Sequence, residues 1–352
     1  MKKILAAAAV AALAVTAFNG QALAKDKKVL LKTPIAFGTH LPGLGTPIVR
    51  VAETLDKVSG GTIRMKVYEP GKLVPPPEIL DAVSTGKTNA GYATAGYWKS
   101  KIPAASLFSA VPFGPEAGEY MGWLYYGNGL DLYQETYDKA GYNVKVIPCA
   151  IIAPETSGWF GKEINSAEDL KGLRMRFFGL GGEVMEKLGV ATSQIPGGEI
   201  FPALEKGAID ATEFSMPAID KLLGFHKIVK FNYFPGWHQQ ATVFELLINK
   251  DVWGGMSEAQ QAIVETTCKA SMSDSLAEGE YSQFEAMTEN VEKNGVKIMY
   301  WSDEMLDVFR AAWEEVIVEQ SKDEQFARVY EDLKTYRENY QLWKVNGFLP
   351  RK

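Results

Sequence analysis

From Ser257 to Asn294 the chain keeps helical spacing of its apolar residues and contains no proline. As an α-helix that stretch would run about 57 Å at 1.5 Å per residue, longer than an ordinary domain is wide. A helix of that length bridges two bodies or lies along a partner. The residues before it are of another kind, with strand-like and helix-like runs in alternation. Val29–Phe37 is largely apolar, and Thr46–Val58 has helical spacing and stops at Gly60-Gly61. Thr46 is placed to cap that helix, with Pro47 in its first turn. Thr62–Tyr68 alternates polar and apolar residues, as a half-buried strand does. Pro75–Ser84 reads as a short helix, and Ala90–Ala95 as a small apolar run. Asn143–Cys149, Arg174–Phe178 and Val190–Ile195 read as further strands. This rhythm predicts an α/β fold with mainly parallel sheets. Ser302–Gln320 and Asp323–Val345 are predicted as two more helices, and no repeat or low-complexity linker interrupts the chain. With 352 residues to place, two lobes joined by several crossings suit the long helix better than separate beads.

The N-terminus reads as an export signal. Lys2 and Lys3 precede an Ala/Leu/Val-rich run from Ile4 to Phe18, and Ala22-Leu-Ala24 offers a cleavage site. The run is short for a membrane span of about 20 residues. Residues 1–24 are therefore set apart as a signal peptide, and the mature chain is expected to be a soluble periplasmic protein. The whole sequence has 37 Lys and Arg against 43 Asp and Glu, a net charge of −6 with no basic block, which argues against nucleic acid or anionic lipid as a partner. Export makes a Cys149–Cys268 disulfide possible. The competing and favoured reading is a pair of small buried thiols. His40, His226 and His238 show no metal-binding spacing.

Motifs for catalysis are scarce. The sequence has no GxSxG elbow and no phosphate-binding P-loop. Gly179-Leu-Gly-Gly-Glu-Val184 follows a strand and opens a helix, but Val184 stands where a dinucleotide fingerprint needs glycine. It is read as a tight turn whose helix N-terminus faces a cleft.

The most telling residues lie in the middle of the chain. They are Glu155-Thr-Ser-Gly-Trp-Phe160, Ser166-Ala-Glu-Asp-Leu-Lys-Gly-Leu-Arg-Met-Arg176, Gly179-Leu-Gly-Gly182, Pro196-Gly-Gly-Glu-Ile-Phe-Pro202 running on to Ile209-Asp-Ala-Thr-Glu-Phe214, and Tyr233-Phe-Pro-Gly-Trp237. Ser109-Ala-Val-Pro-Phe-Gly114 and Trp123-Leu-Tyr-Tyr-Gly127 extend the pattern. Together they resemble the periplasmic solute-binding proteins of TRAP transporters, the DctP family, and most closely the branch that binds 2-oxo acids and lactate. The resemblance spans nearly all of the mature chain.

It implies a two-lobed periplasmic binding protein fold with a hinge cleft, a long bridging helix and C-terminal helices. Lobe I would comprise 25–149 and 237–276, and lobe II 150–236 and 277–352. The lobes would close on a small carboxylate and pass it, unchanged, to the TRAP permease subunits in the membrane. Arg176 stands where the family keeps its carboxylate-binding arginine, and a guanidinium can grip both oxygens in a fork. Arg174 shares its strand face and is read as a structural or solvated arginine rather than a second contact. Glu213 and Phe214 match a Glu-Trp pair whose carboxylate and following carbonyl face a bridging cation. Glu155 replaces a glutamine that binds both cation and ligand. One guanidinium against Glu155, Glu213 and a monocarboxylate would leave the closed site at −2, so a divalent ion is needed to neutralise it. Oxygen ligands favour Ca²⁺; Na⁺, a protonated Glu155, or a Glu155 that binds an amine or hydroxyl on another ligand are the alternatives. Gln239 is a candidate metal or ligand contact, and His238 is equally readable as a hinge histidine. Tyr97 aligns with a tyrosine whose hydroxyl reaches the ligand, while Trp98, Trp159 and Phe160 are read as packing.

The expected function is thus capture of a 2-oxo or 2-hydroxy monocarboxylate, such as pyruvate or lactate, without catalysis. Dicarboxylates, sugar acids, sulfonates and aromatic acids stay open as ligands. A secreted enzyme using Glu155 or Glu213 as a base, or a sensor feeding a kinase, stays open as another class. The aromatic stripe Phe326, Tyr330, Tyr336 and Tyr340 suits either a swapped helix in a homodimer or packing on the chain's own lobe.

Overall fold

A computed structural model describes residues 26–349; the expected signal peptide lies outside the described residues. The strands, in chain order, are β1 (Val29–Pro34), β2 (Ile63–Tyr68), β3 (Ala90–Ala93), β4 (Val144–Ile152), β5 (Gly158–Phe160), β6 (Arg174–Arg176), β7 (Ala191–Ser193), β8 (Ala211–Thr212), β9 (Phe231–Phe234), β10 (Thr242–Asn249) and β11 (Lys297–Tyr300). They form three sheets: β1-β2, β3-β10-β4, and β11-β9-β5-β8-β6-β7. The first two build one lobe and the third builds the other.

The sheets are mixed rather than mainly parallel. Pairs β1–β2, β6–β7, β6–β8 and β9–β11 are parallel, whereas β10 runs antiparallel to both β3 and β4, and β5 antiparallel to both β8 and β9. The cause is the crossing between lobes. The chain leaves the first lobe through β4 into β5 and returns through β9 into β10, so outgoing and returning strands lie side by side in opposite directions. β10 is buried at every position, including Glu245, because both its faces are covered.

The crossing segments touch at 153–157 and 235–241. The Glu155 amide donates to the Gln239 carbonyl at 3.1 Å, and the Ser157 amide to the Tyr233 carbonyl at 2.7 Å. Position 236 must be glycine for this approach, since a Cβ there would stand 2.1 Å from the Glu155 carbonyl oxygen.

Helix Thr46–Val58 begins at its expected cap, one residue early, with Gly45 in the capping position. Thr46 is already helical, and its hydroxyl accepts from the Gly43 amide and donates to Glu278 on the long helix at 2.6 Å. The long helix itself spans Glu258–Glu292, opened by a reciprocal cap between Ser257 and Gln260. It packs on β4 and helix Thr46–Val58 in the first lobe and on helix Pro217–Leu222 in the second, the bridge its length required. A Cys149–Cys268 disulfide fastens it to β4, with the Cα atoms 4.2 Å apart, so the thiols are joined rather than merely buried.

Two helices follow, Asp303–Gln320 and Glu324–Gly347. The first packs on helix Gly179–Lys187 of the second lobe. The second does not belong where 277–352 was expected. It packs on helices Ala117–Tyr126 and Gly129–Lys139 of the first lobe, because buried Glu119 draws in Arg337 at 3.0 Å and Lys344 at 3.2 Å, and Asp332 accepts from the Trp123 indole at 2.7 Å. At the cleft rim Lys99 meets Glu183 across the lobes at 2.9 Å. Among the described residues no helix is long and apolar enough to cross a membrane.

Candidate functional site

Arg176 and Glu213 meet because parallel neighbours end at the same sheet edge. In the β6–β8 register Arg176 is opposite Thr212, and the next residue, Glu213, donates its amide to the Arg176 carbonyl at 3.1 Å. Carboxyl-end edges of this kind are where open α/β sheets place ligands. Glu155 comes from the outgoing crossing segment, and His238 and Gln239 from the returning one. The crossing segments therefore carry three of the five side chains of the site.

All five side chains are buried. Arg176 is 2% exposed, Glu155 3%, Glu213 0%, His238 1% and Gln239 3%. Arg176 Nη1 donates to Glu213 Oε1 at 2.6 Å and to the Glu213 carbonyl at 2.7 Å, while its Nε donates to the Ile195 carbonyl at 3.2 Å. The fork expected to face a ligand freely is thus partly engaged, since a buried guanidinium must be paired and Glu213 is the carboxylate beside it. Its planar face lies against the Phe214 ring, 5.1 Å from the centroid.

The polar atoms without partners are informative. Among the described residues, Glu155 Oε2, Glu213 Oε2, Gln239 Oε1, the Tyr97 hydroxyl and both ring nitrogens of His238 are buried without a hydrogen bond. Buried polar groups are normally satisfied, and here six orphaned atoms gather in one place. Glu155, Glu213 and His238 each offer a ligand atom, all within 4.8 Å of one another. Gln239 donates to the Thr242 hydroxyl at 2.6 Å, which reaches Glu155 Oε1 at 3.4 Å.

Electrostatics agrees with a need for positive charge. Burial pushes the Glu155 carboxyl well above its usual range, and the neighbouring Glu213 and Asp220 push it further. Burial opposes the charge on Glu213 too, but Arg176, His238 and the Phe178 amide outweigh it and hold that carboxyl below its usual value. Asp220 is pushed up to about 7 by burial even though the Trp159 indole donates to it at 2.8 Å.

A small closed cavity of about 20 Å³ lies between the lobes, lined by Glu155, Arg176, Tyr97, Phe214, Gln239 and Thr242, and closed by Phe37, Leu44, Phe178 and Phe244. All six of the residues singled out from the sequence, these first five and Glu213, are brought together. Arg174 is not among them; it pairs with Asp210 at the surface, at 2.6 Å. Trp98, Trp159 and Phe160 are packing residues with no exposure above 1%. His238 is the residue sequence reasoning left undecided. A lone histidine carries no spacing signal, and its only cue was its place beside Gln239.

The chain matches the family model of bacterial extracellular solute-binding proteins, family 7, over residues 44–323. A periplasmic protein of Nostoc sp. named as monocarboxylate 2-oxoacid-binding is 36% identical over 315 residues, covering 89% of this chain and 84% of the relative. A TRAP periplasmic solute-binding protein from Pseudoalteromonas atlantica, solved with bound sodium and pyruvate, superposes with a TM-score of 0.86 at 31% identity over 90% of this chain and 96% of that one. One from Colwellia psychrerythraea, solved with bound calcium and pyruvate, gives 0.84 at 30% identity over the same shares. These matches cover both lobes and the crossing segments between them, and the chain belongs to the DctP family of TRAP-transporter solute-binding proteins.

Proposed function

We propose that this receptor captures a small 2-oxo or 2-hydroxy monocarboxylate, with pyruvate and lactate as the leading ligands, through a divalent cation. The observation that carries the reading is the pair of buried carboxylates, Glu155 and Glu213, each with an unpartnered oxygen beside one already-engaged arginine. Arg176 balances one of these carboxylates, and a cation lets the second keep its charge in a water-poor cleft where it would otherwise take up a proton. Pyruvate supplies a carboxylate and an adjacent carbonyl oxygen, so it chelates the ion where a simple acid offers one fewer donor. In this reading Glu155, Glu213, Gln239 and the Phe214 carbonyl hold the ion. Arg176 and the Tyr97 hydroxyl hold the ligand carboxylate, and the apolar wall of Phe37, Leu44 and Phe244 limits the size of its tail. The pyruvate-bound relatives, one with calcium and one with sodium, support the bridge. We place the hinge near 150, 237 and 277, take the N-terminal 24 residues as a cleaved export signal, and assign no catalysis: the cation orients a carboxylate but no side chain is set to attack it. The bound acid then passes to the TRAP permease.

Closure follows from the layout. Ligand contacts come from both lobes and both crossings, so the acid and ion bind the closed population best and shift the equilibrium toward it. The test is to unfold and refold the mature protein free of ligand, then follow thermal unfolding with pyruvate, lactate, succinate and a sugar acid, each with calcium or with chelator. A calcium-dependent rise in Tm with pyruvate or lactate is expected, growing as RT ln(1 + [L]/Kd). Stabilisation by succinate or the sugar acid alone would reject the monocarboxylate assignment.

A further inference from the structure

We infer that His238 is itself a ligand of the bridging cation, which makes the site selective for first-row transition metals, represented by Co²⁺ and Zn²⁺, over Ca²⁺ and Na⁺. The inference rests on the cation-bridged reading above and concerns which ion that site prefers.

The geometry is specific. His238 Nε2 stands 3.5 Å from Glu213 Oε2 and 3.9 Å from Glu155 Oε2. These separations exceed a good hydrogen bond, and all three atoms are buried without one. Two ligands sharing one ion are about 3–4 Å apart when the metal–ligand bonds are 2.0–2.5 Å long, and both distances fall in that interval. The ring cannot swing away to seek another partner. Phe177 packs edge-on against it at 5.0 Å and Trp237 at 5.6 Å, and its backbone lies on the crossing segment next to Gln239. A Cβ at Gly181 would come within 2.8 Å of the His238 Cβ, so the helix opening at Gly179 closes in on the ring from the second lobe.

The donor chemistry sets the preference. Calcium and sodium are hard ions that favour all-oxygen shells. A neutral imidazole nitrogen favours ions later in the first transition row, whose affinity for nitrogen and carboxylate sites rises from Mn²⁺ toward Cu²⁺. One imidazole and two carboxylates, completed by the chelating oxygens of the bound acid, form a mixed shell. The expectation of an all-oxygen site omitted this nitrogen.

The experiment uses the refolded mature protein with pyruvate at fixed pH. Calorimetry compares Co²⁺, Zn²⁺ and Ca²⁺ binding in the wild type and in His238→Gln, whose folding is checked by its melting curve. The expected result is at least tenfold tighter Co²⁺ than Ca²⁺ binding in the wild type and loss of that ratio in the variant. Should the variant not fold, X-ray absorption of the Co²⁺-loaded wild type supplies an independent readout, because a ligating imidazole leaves an outer-shell scattering signature. An unchanged Co²⁺/Ca²⁺ ratio, or an absorption spectrum with oxygen scattering alone, would overturn the role of His238 while leaving calcium-linked pyruvate binding intact. Pyruvate binding that is equally tight with chelator would remove the bridging cation itself, and this inference with it.

Discussion

Two buried acidic centres divide the labour of this molecule. In the first lobe, Glu245 is fully buried on β10 and accepts from the Trp98 indole at 2.6 Å, the Tyr133 hydroxyl at 2.5 Å and the Tyr137 hydroxyl at 2.8 Å. In the cleft, Glu155 and Glu213 are just as buried, yet each keeps an oxygen with no partner. The same residue type in the same low-polarity setting is finished in one place and left open in the other. A satisfied buried carboxylate specifies packing; an unsatisfied pair beside an arginine specifies something that arrives from outside.

The contrast can be broken most severely at Arg176. Arg176→Ala leaves Glu213 buried and unpaired, so a loss of about 3–5 kcal/mol in denaturant-derived stability is expected, together with loss of pyruvate binding. A folded protein of unchanged stability would show that Glu213 does not depend on the pair. Next comes the finished centre. Burial raises the Glu245 carboxyl to about 7, against the pull of its three donors. A carboxyl whose folded value is raised holds its proton in the native state after the unfolded chain has released it. Stability therefore falls as pH rises from the unfolded value near 4.5 to about 7. Glu245 contributes about 3 kcal/mol to that fall. Stability measured at successive pH values should decline across this range in the wild type and decline less, by Glu245's share, in Glu245→Gln, with pyruvate affinity little changed. An identical slope in the variant would refute the assignment.

Opening the comparison from the other side, Glu213→Gln should weaken cation-linked pyruvate binding by about a hundredfold, near 2.7 kcal/mol, as read by calorimetry with calcium. A matching loss in Glu245→Gln would erase the distinction between the two centres. The smallest effect is expected at the cavity wall: Tyr97→Phe removes one unpartnered hydroxyl and should cost about fivefold in affinity, near 1 kcal/mol, without lowering the ligand-free Tm.

Much of this was legible before any coordinates. The long helix announced itself by its unbroken periodicity, and Thr46–Val58 by its proline and closing glycines. Arg176, Glu155 and Glu213 were found through a family pattern, not through their own neighbours, since 58 residues separate the two acids in the chain, and Gln239 only through its place after Trp237. What escaped has physical causes. Strand direction was misjudged because local patterning does not reveal a chain that crosses lobes and returns antiparallel. The last helix was misassigned because its anchor, Glu119, is an acid that looks solvent-borne until Arg337 and Lys344 come to it from over two hundred residues away. His238 carried no periodic signal at all. Only the convergence of two crossing segments gives it company.

That convergence has a mechanical consequence. Glycine at 236 lets the crossing segments touch, and Glu155, His238 and Gln239 sit on those segments rather than at the lips. An ion placed there works on a short lever. A small separation of Glu155 from His238 translates into a much wider parting at the rim, where Lys99 and Glu183 meet. Whatever prises the rim open therefore acts with mechanical advantage on the ion at the fulcrum, and unloading the receptor needs a modest pull at its edge rather than a large force at its centre.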